Sequence, residues 1–210
     1  MEYETEEQQV EALKAWWAEN GRAVITGVVL GAAVIGSWTF WQSRKEAAAI
    51  AASDSFSRTM TAINSSDTAT AANLADELQS DQPDSLYSSY ANFAAARADV
   101  ENNDLESAAK RLKWVADNAP QEDVKLIAKV RLARVQGALG DAAAGLSSLP
   151  SSFPDSFIGM VEEVRGDLLV LKGDTDAART AYEAAQESQY VSNRDGLMMK
   201  LNELATPSAS

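Results

Sequence analysis

The 210-residue chain contains neither cysteine nor histidine. Thiol nucleophiles, imidazole bases and the usual zinc ligands are therefore excluded together. The absence of cysteine fits an oxidising and a reducing compartment equally well. Basic residues are scarce, with 18 Lys and Arg against 31 Asp and Glu, for a net charge of −13. Such a chain is a poor match to a phosphate backbone, which argues against nucleic acid as a partner. No glycine-rich phosphate loop occurs, and the serines lack a nucleophile elbow or a neighbouring base. The densest charge cluster, "VEEVRGD", holds Glu162, Glu163, Arg165 and Asp167. It reads as a solvated helix face with local ion pairs. No catalytic, cofactor or metal residues are assigned, and the chain reads as a binding module rather than an enzyme.

One long hydrophobic run is present. Residues 23–43, "AVITGVVLGAAVIGSWTFWQS", carry no charged side chain. As a helix at ~1.5 Å per residue this run is about 32 Å long, which matches a hydrocarbon core of about 30 Å. Trp16 and Trp17 precede it, and Trp38 and Trp41 stand near its end, where indole rings favour the bilayer interface. Arg22 closes one end; Arg44 and Lys45 close the other. A core helix would need a polar stripe, but Thr26, Ser37 and Thr39 share no single face. An export signal would need a basic start and a shorter apolar centre, whereas residues 1–20 carry six Glu and one Lys. The run is therefore expected to be an uncleaved membrane helix in contact with lipid. Within it, Gly27 and Gly31 are spaced for close helix packing, as are Ala32 and Gly36. Flanking charge leaves orientation open: Lys14 and Arg22 lie before the run, and Arg44, Lys45 and Arg58 after it.

The remainder is alanine-rich and repetitive. Asp67, Asp104, Asp141 and Asp174 are spaced by 37, 37 and 33 residues, and Asn or Gly precedes three of them. That dipeptide suits a turn between two helices, with Asp capping the second. A small residue follows each Asp by four: Ala71, Ala108, Gly145 and Ala178. Eight residues after the last three come Leu112, Leu149 and Tyr182, while the first has Ala75. Eight before the last three stand Ala96, Ala133 and Gly166. Pro83 and Pro120 mark helix stops. A small residue lets helices cross closely, and a large one fills the groove between hairpins. This is the tetratricopeptide pattern.

The expected fold is thus all-α: one N-terminal membrane helix, then a tetratricopeptide-like solenoid of helical hairpins. Hairpins are expected at about 46–80, 85–118, 122–149 and 157–188, with a last helix over about 191–205 that caps the stack. The segment 149–157 interrupts the stacking as a Pro- and Ser-rich loop. The first hairpin, polar and rich in Ser and Thr, reads either as the N-terminal cap or as part of a flexible stalk. The domain division is an acidic segment 1–22, the membrane helix 23–43, the repeat domain 44–205 and a disordered tail 206–210. With the marker Asp as register, a concave face would carry Tyr90, Phe93 and Arg97, then Ile127, Val130 and Arg134, then Met160, Glu163 and Asp167. Apolar positions with a basic rung suit an extended peptide or a partner helix.

The stretches "QQVEALKAWWAENGRAVITGVVLGAAVIGSWTFWQS", "LARVQ" and "RGDLLVLKGDTDAARTAYEAA" together resemble the YfgM family of Gram-negative bacteria. The resemblance implies a single-pass inner-membrane protein with a cytoplasmic N-terminus and a periplasmic repeat domain. It implies an ancillary subunit of the SecYEG translocon that associates with the membrane-anchored periplasmic chaperone PpiD and, through the chaperone network, with exported polypeptides. It also implies a second role, restraint of a cytosolic envelope-stress response regulator. The alternative function is accordingly a membrane-tethered regulator.

Overall fold

The protein is described by a computed structural model that covers residues 6–191 and 193–205. The expected tail 206–210 and the first five residues lie outside the described residues. Within them the chain is helical and forms no strand. The helices are α1 (Glu6–Asn64), α2 (Thr68–Asp81), α3 (Leu86–Glu101), α4 (Leu105–Asn118) and α5 (Glu122–Ala138). They continue as α6 (Ala142–Ser148), α7 (Ile158–Lys172), α8 (Thr175–Glu187) and α9 (Arg194–Ala205). A one-turn 3-10 helix, Asp155–Phe157, precedes α7. The chain divides into two compact units, Met1–Ile50 and Ala51–Ser210.

In the first unit, α1 contains an apolar stretch long enough to cross a membrane, with mean hydropathy 1.9 and none of it buried. Val28, Val29, Leu30, Val34 and Ile35 are all exposed. A helix that is apolar all round with no protein against it has lipid as its natural solvent. Apart from the local helix backbone and the flanking residues, no atom of the described residues lies within 4 Å of where a Cβ would stand at Gly27, Gly31 or Gly36, so these positions are open to a neighbouring helix.

The second unit is built from hairpins joined by one recurring turn. Each marker Asp is the N-cap of the second helix of its hairpin. The carboxylates of Asp67, Asp104, Asp141 and Asp174 accept from the backbone N–H of Thr70, Ser107, Ala144 and Ala177 at 3.0, 3.1, 2.8 and 3.2 Å. The bonds from Thr70 and Ser107 hold the Asp67 and Asp104 carboxyls below the usual range. The residue before each Asp is left-handed: Ser66, Asn103, Gly140 and Gly173, with φ of 60, 62, 86 and 82°. Each Asp N–H then returns to a carbonyl five residues back: Ala62, Asp99, Gln136 and Leu169, at 2.8–3.0 Å. One dipeptide thus closes the first helix with a Schellman motif and opens the second with a side-chain cap.

Within each hairpin, the residues eight before and eight after the marker are buried together. The pairs are Thr59 with Ala75, Ala96 with Leu112, Ala133 with Leu149, and Gly166 with Tyr182. Volumes compensate: the largest partner, Tyr182, faces the smallest, Gly166. A Cβ at Gly166 would fall 2.2 Å from Tyr182 Cε1. Ala108 and Ala178 are fully buried at the helix crossings. Pro120 follows the C-cap of α4 at Ala119. The third hairpin is irregular because α6 has only 7 residues. Leu146, Phe153 and Phe157 fill in around the core of Val130, Ala133, Leu149, Val161, Val164 and Leu168.

The first hairpin packs like the others. Its first helix is the end of α1, where Ala52 joins Ala75, Leu78, Ala91 and Ala95 in a common core, with Phe56 and Tyr87 against it. Charge also ties hairpins together. Arg111 of α4, with only 11% of its side chain exposed, reaches Asp76 of α2 at 2.6 Å and Asp99 of α3 at 3.0 Å. It also donates to Asn92 Oδ1 at 3.4 Å. Burial pushes the Asp99 carboxyl up, and Arg111 opposes that shift.

Candidate partner-binding groove

The first helices of successive hairpins line a groove of about 690 Å³ in the second unit, formed by the end of α1, α3 and α5. Its wall is Met60, Ile63, Tyr90, Phe93 and Ile127, with Arg97, Glu101 and Arg131 at the edge. Aromatic contacts fix the wall. Phe56 lies 5.8 Å from Tyr87 and 6.4 Å from Tyr90, ring centre to ring centre. The Arg131 guanidinium stands 4.7 Å over the Phe93 ring. Tyr90 remains 41% exposed. A shallower pocket adjoins, where Phe93, Arg97 and Arg131 meet Arg134, Val100 and Val135.

Of the nine positions named for the concave face, Tyr90, Phe93, Arg97 and Ile127 come together in the groove. Arg134 lies in the adjoining pocket. Val130 does not face the groove: it is fully buried in the core with Leu149 and Val161. Arg131, one residue on and about 100° further round the helix, presents its side chain there instead. Met160 is half-buried against the same core. Glu163 and Asp167 belong to a separate cluster, because α9 lies beside them. Lys200 of α9 donates to Glu163 at 2.8 Å and to Asp167 at 2.7 Å. The Tyr182 hydroxyl donates to Asp167 at 2.8 Å. Leu197 of α9 is buried against Tyr182 and Ala185. The fourth hairpin therefore has its concave rung occupied by the chain itself.

Groove residues that the sequence did not point to include Met60, Ile63, Glu101 and Arg131. The same three offsets counted from Asp67 fall on Ser53, Phe56 and Met60, so the register held the signal for Met60 once residues 51–64 are treated as a first helix, but not for Ile63 or Arg131.

Charge is distributed unevenly around this surface. Arg97 pairs with Glu101 at 2.8 Å, both exposed. Arg131 and Arg134 have no carboxylate partner among the described residues. Arg131 is exposed overall, but partial desolvation, with the charge of Arg134 adding, presses its pKa down. At Lys200, burial works against the charge, but the hydrogen bonds to Asp167 and Glu163 outweigh it and the pKa is raised. Burial and the bond to Asp167 also raise the Tyr182 phenol. Both folded values lie above the ordinary 10.5 and 10.0. Their contribution is complete below those ordinary values and is lost as pH rises through the folded ones. An alkaline titration followed by circular dichroism and tyrosinate absorbance is therefore expected to show one of the five tyrosines ionising only as helix is lost. Five tyrosines ionising together below that transition would contradict the cluster.

Comparison with known proteins agrees with the geometry. The family described as "Tetratricopeptide repeat-like domain" matches residues 14–206. A protein of Escherichia coli strain K12 named "Ancillary SecYEG translocon subunit" is 34% identical over 206 residues, covering 97% of this chain and 98% of its own. Proteins of the same name from Haemophilus influenzae and Neisseria gonorrhoeae are 30% and 26% identical, covering 95% of this chain and 97% of their own. No solved structure matches the chain. The fold defines a protein with a tetratricopeptide-like repeat domain and, among the described residues, one helix long and apolar enough to cross a membrane. Near-full-length identity goes further: the chain belongs to the YfgM family, that of the ancillary SecYEG translocon subunits.

Proposed function

We propose that the chain is a non-enzymatic accessory subunit of the SecYEG translocon in the bacterial inner membrane. Its N-terminus is cytoplasmic and its repeat domain is periplasmic, where the groove engages a PpiD-like chaperone and exported polypeptides. The observation that carries this reading is the groove itself: an exposed Tyr90 and half-buried Met60, Ile63, Phe93 and Ile127 from three successive first helices, rimmed by arginine. Apolar side chains left open beside charge are what a transient protein partner requires. The family relation supports the translocon as the site of action.

The membrane helix supplies the second contact. At 100° per residue, the Gly27–Gly31 pair and the Ala32–Gly36 pair lie on faces about 140° apart. One helix can thus accept two close neighbours, one on each face. Intact protein, purified from membranes in mild detergent, is expected to carry translocon subunits and a membrane-anchored periplasmic chaperone. Gly27→Leu with Gly31→Leu is expected to lower recovery of one partner about tenfold, the effect of ~1.4 kcal/mol, and to leave the protein in the membrane. Unchanged recovery would remove the helix-packing role. Recovery of a cytosolic response regulator without the translocon would replace this reading with the tethered regulator.

A further inference from the structure

We infer that the groove selects polypeptide segments that place a carboxylate beside an apolar side chain, with Arg131 and Arg134 receiving the carboxylate. The inference rests on the groove being the partner site. It comes from comparing two rungs of the same molecule. Glu163 stands 11 residues before Asp174, as Phe93 stands 11 before Asp104; Asp167 and Arg97 each stand 7 before their marker. On the fourth hairpin, the cation arriving from the next first helix is Lys200, and it meets two carboxylates at 2.8 and 2.7 Å. On the second hairpin, the cation arriving from the next first helix is Arg131. At the equivalent places it meets the Phe93 ring and a like charge, Arg97. Arg134 adds a further positive charge, and the one carboxylate lining the groove among the described residues, Glu101, is engaged by Arg97.

The molecule therefore satisfies this rung internally where α9 covers it and leaves it unsatisfied where the groove is open. A guanidinium held over an aromatic ring keeps N–H groups with which to donate to a carboxylate, and it is more weakly hydrated than an ammonium. Met60, Ile63, Tyr90 and Ile127 lie within reach for the apolar side chain. Although the chain has a net charge of −13, Arg131 in the groove and Arg134 in the adjoining pocket, both without a carboxylate partner among the described residues, make this surface locally the complement of an acidic, not a basic, ligand.

The test uses the full chain in detergent and two fluorescent peptides. One alternates leucine or phenylalanine with glutamate; the other has glutamine at each glutamate. Anisotropy is expected to show the glutamate peptide binding about tenfold tighter than its counterpart, as charge-assisted hydrogen bonds allow. Arg131→Gln with Arg134→Gln should erase that difference while helix content stays unchanged. Phe93→Glu, which supplies in place the carboxylate that Lys200 finds at Glu163, should abolish binding of the glutamate peptide. Equal binding of both peptides, lost in Phe93→Ala, would overturn the carboxylate selection and leave the groove standing. No binding of either peptide would overturn both.

Discussion

Gly166→Ala is expected to destabilise the repeat domain by about 3 kcal/mol, the upper end for forced overpacking. The direction is the informative part. In an open helix, glycine to alanine stabilises by about 1 kcal/mol. Here the added Cβ falls within 2.9 Å of three Tyr182 ring atoms. The ring cannot swing aside freely, because it is 3% exposed and its hydroxyl is held by Asp167. For a domain of this size the loss corresponds to a fall in Tm of about 6–12 °C. Tyr182→Leu restores the small-large pairing of the second and third hairpins. The double variant should therefore be more stable than the sum of its parts, a coupling typical of residues in contact. Thermal unfolding by circular dichroism checks both. A Gly166→Ala protein as stable as the wild type would show that helix spacing, not this pair, sets the packing.

Arg111→Met should cost a similar amount, about 3 kcal/mol, at the lower end for breaking a buried ion pair. Asp76 is 60% exposed and can turn to water, but Asp99 is 13% exposed and cannot. The penalty is chiefly the uncompensated Asp99 carboxylate, whose pKa burial already raises. A raised folded value means that protonation favours the folded state, so lowering the pH toward the ordinary 3.8 should narrow the gap between variant and wild type. Adding Asp99→Asn to Arg111→Met should recover part of the loss at neutral pH. A gap that widens on acidification would contradict this assignment.

Much of this architecture was legible because the turn is chemically demanding. A left-handed residue followed by a capping Asp leaves few choices, so Asn103, Gly140 and Gly173 announced their turns. Ser66 did not, since serine rarely adopts that conformation, and the first hairpin looked weaker than it is. The apolar run was legible because lipid imposes its own length. The concave face was less so. Fixed offsets assume regular hairpins, and they placed Val130 on a surface when it lies in the core. Offsets also say nothing about what covers a face. Glu163 and Asp167 occupy the right register, but α9 brings Lys200 onto them from more than thirty residues away. Arg131 was invisible because its importance lies in a missing partner, which only the assembled rung reveals.

A groove between the end of α1, α3 and α5 that holds a polypeptide partner should be occupied in the native membrane. The most direct measurement places a photo-crosslinking amino acid at Ile127 in the full chain, in native membranes, with Met198 of the exposed α9 surface as the control position. Crosslinks are expected from Ile127 to a periplasmic chaperone or an exported polypeptide, reduced by Arg131→Gln with Arg134→Gln, and few from Met198. Equal crosslinking at both positions, or none at Ile127 while the translocon co-purifies, would contradict that occupancy.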